Sequence, residues 1–149
     1  MSKKEQFVSE FSIEDLTSPH QVKFYKYWQQ LKGERTMPAR ADINPRDFVS
    51  TLPFVILCEC SDGDYIIKIM GTKCAEVLGE ATGLKISSSK GGKEAVDRFN
   101  WVVENKKPYF NIKPLDGFDK NHLNASAIVM PLSSNDNDVD MIILIHHFY

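Results

Sequence analysis

The chain has 149 residues, of which 42% are apolar, and this predicts one domain with a single hydrophobic core. Its 18 lysines and arginines nearly balance its 20 aspartates and glutamates, and no long basic run predicts a nucleic-acid partner. Because no apolar run approaches the ~20 residues of a membrane span and the first residues lack a secretory signal, we expect a cytoplasmic protein without a membrane partner.

The first third of the chain predicts an arm, a helix and a connector. Residues 1–17 are polar with scattered apolar positions, which is typical of a loose N-terminal arm. The helix and connector span 18–52, where Ser18 predicts an N-cap and Pro19 the first helical position. The next apolar positions recur at helical spacing and predict an amphipathic helix over 18–33: Val22, Tyr25, Trp28 and Leu31.

Residues 53–149 predict the core of the domain. Two apolar runs separated by a turn at Asp62-Gly63 predict a β-hairpin. A short helix after Gly71-Thr72 and a longer one over roughly 92–105 follow, joined by a loop, 85–93, that is either mobile or a lid. Three further strands complete the chain. The sequence therefore predicts an α+β fold with a five-stranded antiparallel sheet and short helices over one face.

The last strand, MIILIHHF, is apolar on both faces. One face belongs to the core, and the other needs a cover. The amphipathic helix 18–33 and a second subunit are the two candidates for that cover.

Several short motifs occur in order between residue 25 and about residue 86. They are Tyr27-Trp28 with Leu31 and Gly33, Arg35, the run from Pro38 to Pro45, Leu52-Pro53, Ile69, Gly71-Thr72, Gly79 and Thr82-Gly83. Together they resemble one bacterial subfamily of PAS domains, made of short, single-domain proteins. Lys68 and Asn44 depart from the subfamily pattern, in which arginine and aspartate are commoner.

The resemblance implies a PAS-like sheet with a pocket between it and the short helices. PAS domains use this pocket for haem, flavin, small metabolites or no ligand, and they commonly dimerise through a flanking N-terminal helix. The fold alone does not choose among these possibilities.

Core-facing positions of the hairpin and of the longer helix are the candidate pocket residues. They are Tyr65, Ile67, Ile69, Phe99, Val102 and Val103, with Arg98 or Trp101 as the polar anchor of a charged ligand. The same spacing of aromatic and aliphatic residues is typical of plain core, so a filled interior without a ligand stays open.

Cys58 and Cys60 share one face of their strand and, with His146 or His147, are the candidate zinc ligands. The spaced pairs typical of zinc sites are absent from the sequence, so we predict buried free thiols and no metal site.

Neither haem nor flavin is predicted. Cys74 lacks the asparagine-cysteine-arginine context of light-sensing flavin PAS domains. A haem pocket needs an axial ligand, and the longer helix has no histidine. The histidines are interpreted as surface, loop or strand-end residues: His20, His122, His146 and His147.

Arg40 and Arg46 lie in the connector beside Asp42 and Asp47. Arginines so placed usually hold irregular backbone through charge-assisted hydrogen bonds, so a structural clamp is predicted. Contact of Arg40 with a partner protein is the alternative.

We predict a non-catalytic sensory or regulatory module that acts through protein–protein contact, with a small-molecule ligand in the core pocket as an open possibility. A homodimer is expected, and helix 18–33 would present Tyr25 and Trp28 to a signalling partner. One alternative is a ligand-free dimerisation module. A less favoured one is an isomerase or hydratase that pairs Glu59 with His146.

Overall fold

The computed structural model describes residues 5–115 and 123–149. The helices are α1 (Pro19–Lys32), α2 (Thr72–Leu78) and α3 (Gly92–Asn105). The strands are β1 (Gln6–Val8), β2 (Val55–Ser61), β3 (Asp64–Met70), β4 (Tyr109–Pro114), β5 (Asn124–Leu132) and β6 (Met141–Phe148). Short 3-10 helices occur at Ile13–Asp15, Arg40–Asp42, Pro45–Phe54 and Ile86–Ser88.

One antiparallel sheet organises the fold, with strand order β1-β4-β5-β6-β2-β3. The α+β class and the antiparallel sheet are as predicted, but the sheet has six strands rather than five. The additional strand is β1, in which Gln6 pairs with Ile112 and Val8 with Phe110. Part of the predicted loose arm therefore closes one edge of the sheet.

Helix α1 covers the outer face of the sheet. Ser18 caps the helix by accepting a hydrogen bond from the Gln21 backbone N–H at 3.3 Å, and Pro19 occupies the first turn, as the sequence predicts. Phe24 and Trp28 are buried, and the Trp28 indole Nε1 donates to the Pro131 carbonyl of β5 at 3.0 Å. Of the two predicted covers of the last strand, helix α1 is the one observed, and it packs on β6.

Helices α2 and α3 lie over the inner face. A glycine at the start of each helix permits close approach to a neighbouring backbone segment. A Cβ atom at Gly71 would collide with the carbonyls of Leu52 and Pro53, and one at Gly92 with the Ile86 carbonyl. The Gly71 N–H also donates to the Val55 carbonyl at 2.7 Å. This packing is a physical reason for the Leu-Pro and Gly-Thr motifs.

The connector is clamped, but by Arg35 rather than by Arg40 or Arg46. The Arg35 guanidinium binds the Asp42 carboxylate at 2.9 Å and also donates to the Leu31 carbonyl at 2.7 Å. Asp47 accepts a hydrogen bond from the Tyr27 hydroxyl at 3.0 Å. The predicted arginines are wrong, since neither Arg40 nor Arg46 forms an ion pair with Asp42 or Asp47 in the described part of the chain. Tyr27 of α1 and Arg35, three residues beyond the end of α1, make these contacts instead.

Within residues 5–115 and 123–149, no helix combines the length and the apolar character needed to cross a membrane.

Candidate functional site

A cavity lies between the inner face of the sheet and the segment that runs from α2 through α3. Its larger part, the apolar lobe, has a volume of about 350 Å³, and its smaller part, the inner lobe, about 80 Å³. Both lobes share the same central wall, formed by Gly91, Ala95, Phe99, Lys113, Leu144 and His146. The two lobes are therefore adjoining parts of one site.

Side chains alternate between the two faces of the sheet, so every second residue of β2 and β6 faces the apolar lobe. Cys58 pairs with Ile142, and Ile56 pairs with Leu144, so inward-facing residues of β2 and β6 stand side by side. Residues from the helical segment complete the lining. The apolar side chains around this lobe are Ile56, Cys58, Ile67, Met70, Leu78, Ala81, Leu84, Ile86, Ala95, Phe99 and Leu144.

A polar wall crosses the centre of the sheet. Asn111 pairs with Ala127, and Ala127 pairs with His146, so the small Ala127 side chain separates two polar ones. Lys113 lies two residues further along β4, opposite Ala125. Because alanine is short, β5 leaves room in front of this wall. We call Asn111, Lys113 and His146 the polar triad.

Two buried atoms of the polar triad lack a hydrogen-bond partner within the described residues: Asn111 Oδ1 and His146 Nδ1. His146 is only 8% exposed, and its ring stacks on Phe148 at a centroid distance of 5.6 Å. An unsatisfied buried polar group costs about 1–3 kcal/mol, and native folds pair the great majority of such groups. A ligand in the cavity would supply the missing partners.

The environment keeps His146 neutral. Burial and, to a smaller extent, the positive charge of Lys113 lower its pKa to about 3. Burial also lowers the pKa of Lys113. The negative charges of Glu5 and Glu94 oppose this lowering, and the positive charge of Arg98 adds to it. The cavity wall therefore carries the desolvated amino group of Lys113 together with the neutral imidazole of His146.

The carboxylates around the cavity are engaged or exposed. Glu5 binds Arg98 with an Oε1–Nε distance of 2.6 Å, and the Arg98 guanidinium lies 4.8 Å from the centre of the Phe7 ring. Glu80 accepts hydrogen bonds from the backbone and the hydroxyl of Thr82, and Glu94 is exposed on α3. Glu5 and Glu94 also line the inner lobe with the polar triad, and their charges act on Lys113.

The candidate pocket residues fall at different places. Ile67 and Phe99 line the apolar lobe, and Arg98 lines the inner lobe. Tyr65 packs edge-on against Phe99 at 5.1 Å and donates its hydroxyl to Asn100 at 2.7 Å. The others lie away from the cavity: Val102 is fully buried, Val103 is partly buried, Trp101 packs on Phe7, and Ile69 is 45% exposed.

His146 lies near the end of β6, within the predicted range of positions, but its side chain is buried in the cavity wall rather than at the surface. Asn111 and Lys113 were also missed as site residues. A usable signal existed, since Asn111 and Lys113 alternate in PYFNIKPL, and Ala125 and Ala127 alternate in LNASAIVMPL. His122 and the loop at Asp116-Gly117 lie outside the described residues.

The alternative catalytic pair is not brought together. Glu59 points away from the cavity and binds Lys68 at 3.6 Å, whereas His146 shares the inner face with Cys58 and Leu144. Within the described ranges, no cluster of histidine, cysteine and acidic residues could hold a metal ion. Burial raises the pKa of Cys58 and of Cys74 to about 12, which makes both thiols poor nucleophiles.

The candidate interaction residues differ in exposure. Trp28 is 3% exposed and is held by its hydrogen bond to β5, so it is part of the core. Tyr25 is half-buried, with its ring 5.2 Å from that of Phe11, and Arg40 is half-buried in the connector.

Residues 16–143 of the chain match the model of a protein family described as PAS domain. No curated protein matches the chain.

Proposed function

The chain belongs to the PAS domain family, whose members act in general as sensory and regulatory modules, and we propose that it senses a small molecule bound in the cavity. The observation that carries the proposal is the presence of buried, unpartnered polar atoms of Asn111 and His146 in the wall of a cavity. A cavity of about 350 Å³ lies within the size range of small-molecule sites. Mostly apolar walls with a few converging polar groups are also typical of such sites.

Helix α3 offers a route from the cavity to the surface. Ala95 and Phe99 line the cavity, while Arg98 and Trp101 of the same helix contact Glu5 and Phe7. These contacts hold β1 against α3 and the sheet edge. A ligand that displaces α3 would therefore change how firmly β1 is held, which requires only different affinities for the two states. We propose β1 and its surroundings as the output element.

The output would be a protein contact, because PAS domains commonly mediate protein–protein interaction and dimerisation. Tyr25 of α1 and Arg40 of the connector remain proposed contact residues. Trp28 is withdrawn from this surface since it is buried. A homodimer with an unidentified signalling partner is the assembly we propose.

The direct test is native mass spectrometry of the purified full chain together with its absorption spectrum. We expect a mass increment from a retained small molecule. Ala95→Phe places a ring in both lobes and should abolish the increment, whereas Glu104→Phe adds the same ring at an exposed position of α3 and should retain it. An unshifted wild-type mass, with no absorption beyond that of the aromatic side chains, would count against sensing.

The alternative proposal is a ligand-free dimerisation module, which is favoured by three exposed large apolar side chains. Val49 is 63% exposed, Ile69 45% and Leu52 37%, on the connector and on β3. Such side chains occur singly on many surfaces, so they argue less strongly than the unpartnered buried atoms do. A dimer that carries no ligand and dissociates in Val49→Lys would favour this alternative.

A further inference from the structure

The hydrogen-bonding groups and the charges of the cavity wall together restrict the chemistry of the ligand. We propose that the cavity takes an uncharged amphiphile, whose hydroxyl or primary amide head meets Asn111 and His146 and whose apolar tail fills the apolar lobe. This inference rests on the proposed sensing function and names the class of molecule sensed.

The two unpartnered atoms define the head group. Asn111 Oδ1 is a hydrogen-bond acceptor, and within residues 5–115 and 123–149 it is buried without a donor. His146 Nδ1 is buried in the same way, and in a neutral imidazole it donates or accepts according to the tautomer. A hydroxyl or a primary amide both donates and accepts, so it can serve the Asn111 oxygen together with either tautomer of His146. A carboxylate only accepts and an ammonium only donates, so neither has both capacities.

The register of the strands places the two atoms on either side of one small space. Asn111 pairs with Ala127 across β4 and β5, and Ala127 pairs with His146 across β5 and β6. Directly opposed residues share a face of the sheet, and all three line the inner lobe. The alanine methyl group leaves room for a head group between the two polar side chains. The inner lobe, at about 80 Å³, accommodates a group of the size of a hydroxyl or an amide.

The charges of the cavity wall balance one another. Glu5 binds Arg98 with an Oε1–Nε distance of 2.6 Å, and the negative charges of Glu5 and Glu94 act on Lys113. His146 is neutral and adds no charge. The described residues that line the two lobes comprise as many acidic as basic side chains, namely Glu5, Glu80, Glu94, Lys90, Arg98 and Lys113.

This balance favours an uncharged ligand. Removal of a charged head group from water costs free energy, which only an excess of opposite charge in the site can offset. In the inner lobe, a carboxylate would come close to Glu5 and Glu94, and an ammonium would come close to Arg98 and Lys113. A head group of either sign would therefore meet repulsion as well as attraction, whereas an uncharged head avoids this cost.

The volume of the apolar lobe sets the length of the tail. At the ~30 Å³ that one water molecule occupies in the liquid, this lobe of about 350 Å³ holds roughly a dozen non-hydrogen atoms. Octanol has about nine such atoms and is a suitable probe. Three controls of nearly the same length differ in the head group. Heptyl methyl ether is uncharged and only accepts hydrogen bonds, octanoate is an anion, and octylamine is a cation at neutral pH.

The experiment is titration calorimetry of the full chain with octanol and its three controls at neutral pH, supported by the native mass of the protein as purified. We expect octanol to bind at least about tenfold more tightly than octanoate or octylamine, because the site has no excess charge to offset the desolvation of a charged head. Octanol should also bind about three- to tenfold more tightly than the ether, which cannot donate to Asn111 Oδ1.

A matched pair of variants tests the contact with Asn111. Asn111→Leu removes the acceptor and keeps a side chain of similar size. Octanol should weaken by about three- to tenfold and lose its advantage over the ether, whose affinity should change by less than about twofold. Asn105→Leu makes the same change at an exposed position of α3 and should leave all four affinities unchanged. An equal change for octanol and the ether in Asn111→Leu would overturn the proposed contact.

The failures of the two proposals are distinguishable. Equal or tighter binding of octanoate or octylamine would overturn the uncharged class, equal or tighter binding of the ether would overturn the donating head, and both results leave sensing intact. A retained native molecule with a net charge would also overturn the class alone. Absence of binding by all four probes overturns the class, and only its combination with an unshifted native mass also overturns sensing. Because the wild-type comparison needs no variant, poor folding of Asn111→Leu would not affect it.

Discussion

The two faces of the sheet treat buried polar groups in opposite ways. On the outer face, Gln21 is fully buried and its amide Nε2 donates to Ser126 Oγ at 3.0 Å and to the Ile145 carbonyl at 3.1 Å. Its Oε1 accepts from the Thr17 backbone N–H at 3.1 Å. On the inner face, Asn111 and His146 keep unpartnered buried atoms beside a cavity.

The difference separates packing from function. The outer face satisfies its polar groups within the chain and fills its space with Phe24 and Trp28, so α1 behaves as a permanent part of the core. The inner face leaves both space and hydrogen-bonding capacity unused. Natural folds tolerate such unsatisfied groups mainly where they have a role, and this is why we propose ligand binding at the inner face.

The largest predicted effect tests how tightly the outer face is packed. Trp28→Ala should lower the free energy of unfolding by about 3–5 kcal/mol, because it removes a buried indole and its hydrogen bond to β5. Phe99→Ala should cost clearly less, since the Phe99 ring already borders a cavity and lacks packing partners on that side. Urea unfolding measures both. A larger loss for Phe99→Ala would show that the inner face is the better packed one.

The second effect concerns pH and the inner face alone. The pKa of His146 is about 3 in the folded chain and about 6.5 in the unfolded one, so below pH 6.5 the unfolded state binds a proton that the folded state excludes. The stabilisation is complete above pH 6.5 and is lost progressively as the pH falls toward 3. The expected loss is on the order of 1 kcal/mol per pH unit between pH 6 and pH 4.

The control for this pH effect is His146→Phe, which keeps an aromatic ring beside Phe148. Denaturant unfolding at several pH values gives the slope of the unfolding free energy against pH. In His146→Phe this slope should be smaller than in the wild type by the contribution of one proton. The charged and titratable groups around His146 and the cavity remain in both proteins: Glu5, Cys58, Glu80, Lys90, Glu94, Arg98 and Lys113. Equal slopes in the two proteins would show that His146 does not stay neutral.

The third prediction makes one chemical change on each face. Gln21→Leu should destabilise the chain by about 1–3 kcal/mol, because the Ile145 carbonyl loses its donor in the outer core. Asn111→Leu should be neutral or stabilising, because it removes an unpartnered buried oxygen and adds apolar volume beside the cavity. The difference in unfolding midpoint between the two variants is the measurement. Effects of the same sign would remove the distinction between the faces.

Regular elements with strong periodicity were predictable from the sequence. The apolar stripe of α3 and the N-cap at Ser18 place two helices within a residue or two of their observed bounds. Strand β1 was not predictable, because its three residues are too few for an alternating pattern. Its formation depends on pairing with β4 and on the contacts of Glu5 and Phe7 with α3.

The polar triad was only partly predictable from the sequence, for a different reason. Strand β6 is apolar on both faces, so alternation alone does not tell which face His146 shares. Only the register with β5 sets His146 beside Ala127 and, one strand further, Asn111. The small size of the alanines could be read from the sequence, but the space that they leave becomes visible only when the neighbouring strands are in register.

The smallest predicted effect lies where the inner face meets β1. The Glu5–Arg98 pair is about one-quarter exposed on each side, so Glu5→Gln should reduce global stability by no more than about 1 kcal/mol. Locally, the effect should be larger: amide hydrogen exchange at Gln6–Val8 should accelerate, because the pair and the Phe7 contacts hold this short edge strand. Amides of α1 should exchange as in the wild type, and so should all amides of Glu104→Gln, a change at an exposed position of α3. Unaltered exchange at Gln6–Val8 would mean that backbone pairing with β4 alone holds β1, and α3 would then have no means of transmitting the state of the cavity to the sheet edge.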